Sequence, residues 1–327
     1  MQRVKFLSAS TLPAVYYLRQ FPGQRPIWGD CEFCINDTER VADYCVVYDD
    51  VAEEQLVECK PGGRILVTAE PPEVRQYDRD FLAQFDCVVA VDRNIQHPNP
   101  IFSQQALSWM VGWRFFQTEQ GAIKDYDFFR SYDFSTKPNL IAMVASKKTI
   151  TQGHARRYRF AQALKDYFGD RMDLFGLGIR EIDDKWDALA TYRYTLSIEN
   201  SVIPDYWTEK VTDPFLTLTF PFYYGCPNLQ QYFPAAAFER IDIENIQQSI
   251  DTIESAVENN LYQTRIDDLR RARDLAMNEF NVFPMLVRLV ETLEKKSSGG
   301  EFVTTKIRPH ARFQNTIWKR IKRKVFA

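Results

Sequence analysis

The chain has 327 residues, of which 45% are hydrophobic and 26% are charged. This composition is close to that of an average soluble globular protein, so it excludes a disordered chain, a collagen-like fibre and a coiled coil. The formal net charge is −3, but residues 306–327 carry eight basic side chains and no acidic one, which leaves −11 on the rest of the chain. An acidic body with a basic end is poorly suited to general nucleic-acid binding.

No apolar run reaches the roughly 18 residues that a membrane-spanning helix needs, and the N-terminus lacks the pattern of an export signal. We therefore expect a cytoplasmic protein. The six cysteines include one CxxC pair, Cys31 and Cys34, but no second pair and no closely spaced histidine pair accompanies it. Reduced thiols are the expectation, and no metal site is predicted.

The first part of the chain alternates short apolar runs with a helical segment. An opening strand is predicted at 3–9, and valine-rich runs follow at 43–49, 63–70 and 85–92. Such runs are typical of strands that are buried on both faces of a parallel sheet. Residues 78–85 suit a crossover helix between two of these strands.

The second part of the chain repeats this alternation, after an aromatic and polar stretch at 93–138. Its strands are predicted at 139–146, 172–178, 194–200, 220–225 and 238–243, and its helices at 154–168, 185–192, 208–218, 245–259 and 263–295.

Two successive β/α halves predict an α/β fold of two Rossmann-like, doubly wound domains that face each other across a cleft. We assign residues 1–135 to the first domain and 136–295 to the second. Residues 296–327 form a linker and a basic tail.

The densest group of polar and aromatic residues lies at 198–210, with the sequence IENSVIPDYWTEK. The pattern predicts a strand that ends at Glu199 and Asn200, a loop, and a helix with Thr208 as its N-cap. Ligands of open α/β sheets bind at the carboxyl ends of strands, and helix N-termini attract phosphate. Lys210 therefore lies where a phosphate would be held.

The neighbours of Lys210 suit the rest of a nucleotide. Glu209 could accept hydrogen bonds from ribose hydroxyls, and Tyr206 and Trp207 could pack on a base or a sugar. The alternative is a plain helix cap in which Glu209 and Lys210 are merely solvated.

The string IENSVIPDYWTEKVTDPFLTLTFPFYYG resembles the signature of family 10 glycosyltransferases, the α-1,3/1,4-fucosyltransferases, of bacterial type. It matches the ENS and DYxTEK parts of that pattern and departs from it at Ile198 and Trp207. The resemblance extends over about 140–245 and is faint over 1–138. It implies a GT-B fold whose C-terminal domain binds a nucleotide sugar, GDP-fucose, and transfers the sugar with inversion and without an essential metal or other cofactor.

The resemblance also implies roles for particular residues. The family's phosphate-binding arginine lies in the helix after the first strand of the donor domain, which indicates Arg157, with Arg156 and Arg159 as alternatives. Lys210 would be a second phosphate contact and Glu209 the ribose contact. Asn200 and Tyr206 would lie against the nucleotide sugar, and Glu199 would border the anomeric centre or be structural.

The general base of an inverting transfer deprotonates the acceptor hydroxyl. The family places this glutamate in a short turn after a strand of the first domain, and here the string GRILVTAEPPE offers Glu70. Pro71 stands where the family has serine. Glu73 is the alternative base, and a solvated loop acid is the alternative reading of Glu70.

The tail places Ile317, Ile321 and Val325 four residues apart among basic side chains. As a helix it would be amphipathic and suited to an anionic membrane surface, and the alternative is a disordered basic end. The expected acceptor is a glycan, such as a surface-polysaccharide or lipopolysaccharide precursor at the inner membrane face. Alternatives are another nucleotide-activated sugar as donor, or a catalytically silent scaffold that binds a sugar nucleotide.

Overall fold

The protein is described by a computed structural model. The structure describes residues 1–37, 39–105, 108–114, 123–133, 136–145, 152–295 and 300–313.

Strands and helices alternate along most of the chain. The strands are β1 (Gln2–Ser8), β2 (Ile27–Trp28), β3 (Cys31–Ile35), β4 (Tyr44–Tyr48), β5 (Gln55–Cys59), β6 (Arg64–Val67), β7 (Cys87–Ala90), β8 (Pro100–Phe102), β9 (Asn139–Val144), β10 (Met172–Phe175), β11 (Tyr192–Ile198), β12 (Phe220–Tyr224), β13 (Glu239–Arg240) and β14 (Val303–Ile307). The helices are α1 (Ala14–Leu18), α2 (Arg79–Leu82), α3 (Tyr126–Ser131), α4 (Gln152–Phe168), α5 (Trp186–Leu189), α6 (Glu209–Leu216), α7 (Ile246–Glu258), α8 (Leu261–Thr264), α9 (Ile266–Asn278) and α10 (Val282–Glu294).

Contacts divide the chain into two compact units. The first contains the described residues of Met1–Phe21, Arg25–Ala106 and Val282–Ala327, and the second those of Pro22–Gln24 and Leu107–Asn281. The predicted boundary between 135 and 136 differs from this division, as does the predicted end of the second domain at 295.

The first unit is built on a sheet with the strand order β2-β3-β1-β4-β6-β7-β8, in which β2 is antiparallel to β3 and the other pairs are parallel. All five residues of β4 are buried, as the valine-rich pattern predicted. A separate pair, β5 and β14, is antiparallel.

Helix α10 belongs to the first unit because its apolar side chains pack there. The ring of Phe283 lies with its centroid 4.0 Å from that of Phe21, 5.1 Å from that of Phe33 and 5.6 Å from that of Phe6. The prediction of a single helix over 263–295 is wrong. This stretch contains the end of α8, all of α9 and all of α10, and α10 packs in the core of the first unit instead of the second.

The second unit is built on an entirely parallel sheet with the strand order β10-β9-β11-β12-β13. The chain moves from β9 outward to β10 and then returns to the other side of β9 to form β11. The carboxyl ends of β9 and β11 therefore flank the switch point of the sheet, where ligands of doubly wound folds bind.

Residues 108–113 belong to the second unit because buried carboxylates fix them to it. The N–H of Met110 donates to Asp213 of α6 over 3.0 Å, and the N–H of Gly112 donates to Asp184, before α5, over 2.8 Å. A buried backbone donor needs such a partner, so these bonds settle the position of the segment.

Among the described helices, none has both the length and the apolar character that crossing a bilayer requires. The apolar positions predicted for the amphipathic tail, 317, 321 and 325, lie outside the described residues.

Candidate functional site

A pocket of about 240 Å³ lies at the switch point of the second unit. Its walls come from the carboxyl ends of β9, β10 and β11, from α4 and from the first turns of α6. The charged residues that line it are Arg157, Lys185, Glu209, Lys210 and Asp213. Ordinary solvent-facing side chains do not converge in this way, so the pocket is the candidate ligand site.

Helix α6 begins beside this pocket, and its start is built around Glu199. Thr208 is the N-cap, as predicted, and its hydroxyl accepts from the N–H of Lys210 over 3.2 Å. The buried carboxylate of Glu199 accepts from both the N–H and the hydroxyl of Thr208, each over 2.8 Å. These donors are therefore satisfied within the protein, and a phosphate at this end would depend on cationic side chains rather than on the helix N-terminus.

The side chain of Lys210 lies between two carboxylates. Its Nζ is 3.5 Å from Glu199 Oε2, 3.5 Å from Glu209 Oε1 and 3.1 Å from the Thr208 hydroxyl. These ion-pair distances are long, and 23% of the side chain is exposed. Lys210 is therefore a cation that lines the pocket and is held loosely enough to meet an anion there.

A second lysine, Lys185, lies at the start of α5 and is bound more tightly. Its Nζ donates to Asp213 over 2.9 Å and to Glu209 over 3.2 Å. Burial disfavours its charge, but Asp213 and Glu209 outweigh that effect and raise its pKa.

The two carboxylates next to Lys210 differ in their protonation equilibria. Burial would raise the pKa of Glu209, but the positive charges of Lys185 and Lys210 outweigh it and lower the pKa to about 2. Burial raises the pKa of Glu199, although Lys210 and the bonds from Thr208 oppose it. Glu209 is therefore a firmly ionised acceptor at neutral pH.

Of the three arginines predicted as alternatives on α4, Arg157 lines the pocket. Its Nη1 donates to Asn200 Oδ1 over 3.0 Å. Burial lowers its pKa, and Glu199 and Glu209 only partly oppose this effect. Arg156 instead pairs with Glu244 over 3.1 Å, with both side chains about half exposed, and Arg159 is exposed.

The remaining predicted residues surround this group without lining the pocket. Asn200 is exposed and holds Arg157. Tyr206 is buried. Trp207 is also buried, with its ring 5.2 Å from Phe233 between centroids and 6.0 Å from Phe280. Trp207 therefore stabilises the core beneath the loop, which the motif did not reveal.

Two glycines allow the backbone to come close to the site. Gly176, after β10, lines the pocket with φ 120°, and a Cβ there would lie 1.8 Å from the carbonyl oxygen of Ala145. Gly225, after β12, has φ 155°, and a Cβ there would lie 2.5 Å from Cγ of Glu199. Side chains at these two positions would displace the pocket wall and the Glu199 carboxylate.

Glu70 and Glu73 lie in the first unit, in the turn that follows β6. Glu70 is partly buried, and its backbone N–H donates to the hydroxyl oxygen of Tyr77. Glu73 is exposed. The role of Glu70 as a base stays a prediction.

Lys185 and Asp213 were not found by sequence reasoning. Lys185 is 24 residues from Glu209 along the chain, and it lies outside the 198–210 motif. Asp213 follows that motif on the same helix, one turn after Glu209, which is a spacing that could have indicated a shared face.

Comparison with known proteins decides the relationship of the second unit. Residues 134–261 match the family model described as "Glycosyltransferase family 10 (fucosyltransferase) C-term". The predicted resemblance to glycosyltransferase family 10 is confirmed over this segment. The family 10 segment contains α4, α5 and α6, and with them every charged residue that lines the pocket.

Individual relatives match shorter parts of the chain. It is 41% identical over 51 residues to GDP-fucose protein O-fucosyltransferase 3 of Danio rerio, which covers 16% of this chain and 11% of that protein. It is 32% identical over 73 residues to Alpha-(1,3)-fucosyltransferase FucT of Helicobacter pylori, which covers 22% of this chain and 15% of that protein. The chain thus matches only a small part of the length of these relatives.

The fold as a whole is similar to a solved crystal structure of an alpha1,3-fucosyltransferase. The TM-score is 0.51 at 16% sequence identity, with 90% of each chain covered. The predicted α/β fold of the GT-B class is confirmed.

Proposed function

We propose that the protein is an inverting glycosyltransferase that moves L-fucose from GDP-fucose to a hydroxyl of a glycan acceptor. The observation that carries this proposal is the pocket at the switch point of the family 10 segment, which Arg157 and Lys210 line together. The Danio rerio relative is a GDP-fucose protein O-fucosyltransferase, which supports the choice of donor.

The chemistry of the pocket suits a diphosphate leaving group. Transfer of a sugar from a nucleotide sugar leaves negative charge on the diphosphate, and cations fixed next to it lower the barrier. Arg157 is partly desolvated and bonded to the neutral Asn200 amide. Among the described residues no carboxylate forms an ion pair with Arg157, and Glu199 and Glu209 act on it only through weaker Coulomb attraction. A phosphate would give this guanidinium a direct anionic partner, and Lys210 would bind the phosphate from α6.

The other residues act on the rest of the donor and on the acceptor. Glu209, kept ionised by two lysines, accepts hydrogen bonds from the ribose hydroxyls. Asn200 and Tyr206 lie against the nucleotide sugar, and Glu199 fixes the start of α6. Glu70 is the proposed general base, with Glu73 as the alternative. No metal ion or other cofactor takes part in this proposal.

A surface glycan precursor at a membrane is the proposed acceptor, because the basic segment 306–327 suits an anionic surface. Vesicle flotation with and without residues 314–327 tests the membrane part of the proposal. Equal flotation of the two proteins on anionic vesicles would contradict it.

The choice of donor is tested by thermal shift with GDP-fucose, UDP-glucose and a dTDP-sugar. A ligand present at about 100 times its dissociation constant stabilises the folded state by about 2.7 kcal/mol, which is readily measured. We expect GDP-fucose to stabilise the protein most. If UDP-glucose stabilised the protein and GDP-fucose did not, the donor would be a UDP-sugar rather than GDP-fucose.

Turnover is tested through release of fucose from GDP-fucose, with water as an acceptor that requires no knowledge of the glycan. Lys210→Ala should abolish release while the protein remains folded. Lys165→Ala is the matched control, because Lys165 lies on α4 and donates to the backbone carbonyls of Gly169 and Met172 instead of lining the pocket. Donor binding without any turnover by the unaltered protein would indicate a silent scaffold.

A further inference from the structure

Lys185 is a partly buried cation that does not bind the donor in the proposed function. It lies in the loop between β10 and α5, and its Nζ is bound by Asp213 and Glu209 over 2.9 and 3.2 Å. Asp184, the residue before it, fixes this loop by accepting from the N–H groups of Gly112 and Trp186, each over 2.8 Å. The position of Lys185 is thus set from both sides.

Lys185 is part of a continuous series of alternating charges. In order of contact the series runs Asp213, Lys185, Glu209, Lys210 and Glu199. Three acids and two lysines give this series a net charge of −1. Without Lys185 the net charge would be −2, next to the place where a diphosphate has to enter.

The ion-pair distances indicate different roles for the two lysines. Lys185 makes the short contacts, whereas Lys210 lies 3.5 Å from each of its two carboxylates. Coulomb attraction grows as charges approach and as solvent is excluded. If Lys185 were neutral, Glu209 would have Lys210 as its remaining cation in the series, and Lys210 would be drawn toward the acids instead of the ligand.

We propose that Lys185 is a positioning residue that supplies the counter-charge for Glu209 and Asp213 and thereby leaves Lys210 available for the diphosphate of the donor. This inference rests on the proposed function, since it assigns the diphosphate to Lys210. Lys185 itself acts through Glu209 and Lys210.

The test is a charge-compensation series measured with GDP-fucose by calorimetry. Lys185→Met removes the charge, and Lys185→Arg restores it. The double variant Lys185→Met/Asp213→Asn removes one positive and one negative charge together. Asparagine keeps an oxygen that can accept from the N–H of Met110, so the fixed segment at 108–113 retains its bond.

We expect Lys185→Met to weaken GDP-fucose binding about tenfold or more at pH 7.5, and the double variant and Lys185→Arg to recover most of the loss. Binding by Lys185→Met should also strengthen as the pH falls toward 5, because a carboxylate that takes up a proton replaces the missing charge. The diphosphate diester of GDP-fucose does not titrate in this range, so the unaltered protein should bind almost independently of pH.

A purely structural role predicts a different pattern: loss of binding at every pH, with no recovery in the double variant. That pattern, or binding by Lys185→Met equal to that of the unaltered protein, would overturn the proposal.

Failure of the proposed function looks different again, because the unaltered protein itself would not bind GDP-fucose. In that case the melting temperatures without ligand still test the counter-charge. Lys185→Met should melt lower, and Asp213→Asn should recover part of the difference in the double variant. If the decreases in melting temperature caused by the two substitutions simply added up in the double variant, the inference would be wrong, whichever donor the protein uses.

Discussion

Replacing Arg157 by alanine should weaken binding of GDP-fucose strongly, whereas replacing Arg156 or Arg159 should leave it unchanged. The three side chains belong to one turn of α4 and to one residue type, so they form a matched set. Arg157 alone among them lines the pocket. A charge-assisted hydrogen bond contributes about 1.5–3 kcal/mol, which corresponds to a roughly 10- to 150-fold increase in the dissociation constant.

The same substitutions should change stability only slightly. Arg157→Ala removes one hydrogen bond to Asn200, worth about 1 kcal/mol, and also removes a charge that burial disfavours. Arg156→Ala breaks an ion pair between half-exposed side chains, worth less than about 1 kcal/mol. Calorimetric titration with GDP-fucose, with melting temperatures as a folding check, separates the two effects.

The reasoning would be refuted if Arg156→Ala or Arg159→Ala weakened binding as much as Arg157→Ala. It would fail equally if Arg157→Ala remained folded and bound GDP-fucose normally.

Three further predictions concern the base, the backbone and the pH dependence of stability. Glu70→Gln should abolish fucose transfer without changing GDP-fucose affinity, with Glu73→Gln as the control; normal turnover by Glu70→Gln would exclude it as the base. Gly176→Ala should lower the free energy of unfolding by more than about 2 kcal/mol, because its Cβ has no space. Gly169→Ala, also at positive φ but in open space, should cost about 1 kcal/mol, and equal costs in urea titrations would contradict the steric argument. The pKa of Glu209 is lowered to about 2 in the folded protein, whereas it is about 4.3 in an unfolded chain. Ionised Glu209 therefore contributes about 3 kcal/mol to the free energy of unfolding. This contribution is present above about pH 5 and is lost as the pH falls toward 2. Glu209→Gln should remove this part of the acid-induced loss of stability, and an unchanged acid limb in melting curves would show that the carboxylate is not stabilised as described.

The buried parallel strands were predictable because burial on both faces leaves a direct trace in composition. The runs at 43–49 and 63–70 contain β4 and β6, and 139–146 contains β9. Strand β3 was missed because its residues CEFCI mix buried and partly exposed positions. Short or mixed strands owe their state to pairing with a neighbour, which no local pattern records.

The start of α6 was predictable for the same kind of reason, since Thr208 is a local cap. Lys185 was not predictable, because its partners come from a helix 24 residues away and no motif surrounds it. The break between α9 and α10 was also hidden. Phe280, in that break, packs against Trp207 and Phe233, so the helix ends for a tertiary reason that helical periodicity cannot show.

The return of α10 to the first unit has a consequence for the design of fragments. From the sequence alone, a truncation after Asn281 would be expected to remove only a C-terminal extension of the second domain. It would in fact take away Phe283 and leave Phe6, Phe21 and Phe33 around an empty centre. The segment 107–281 holds the second unit apart from Pro22–Gln24, and removing it leaves Phe283 with Phe6, Phe21 and Phe33.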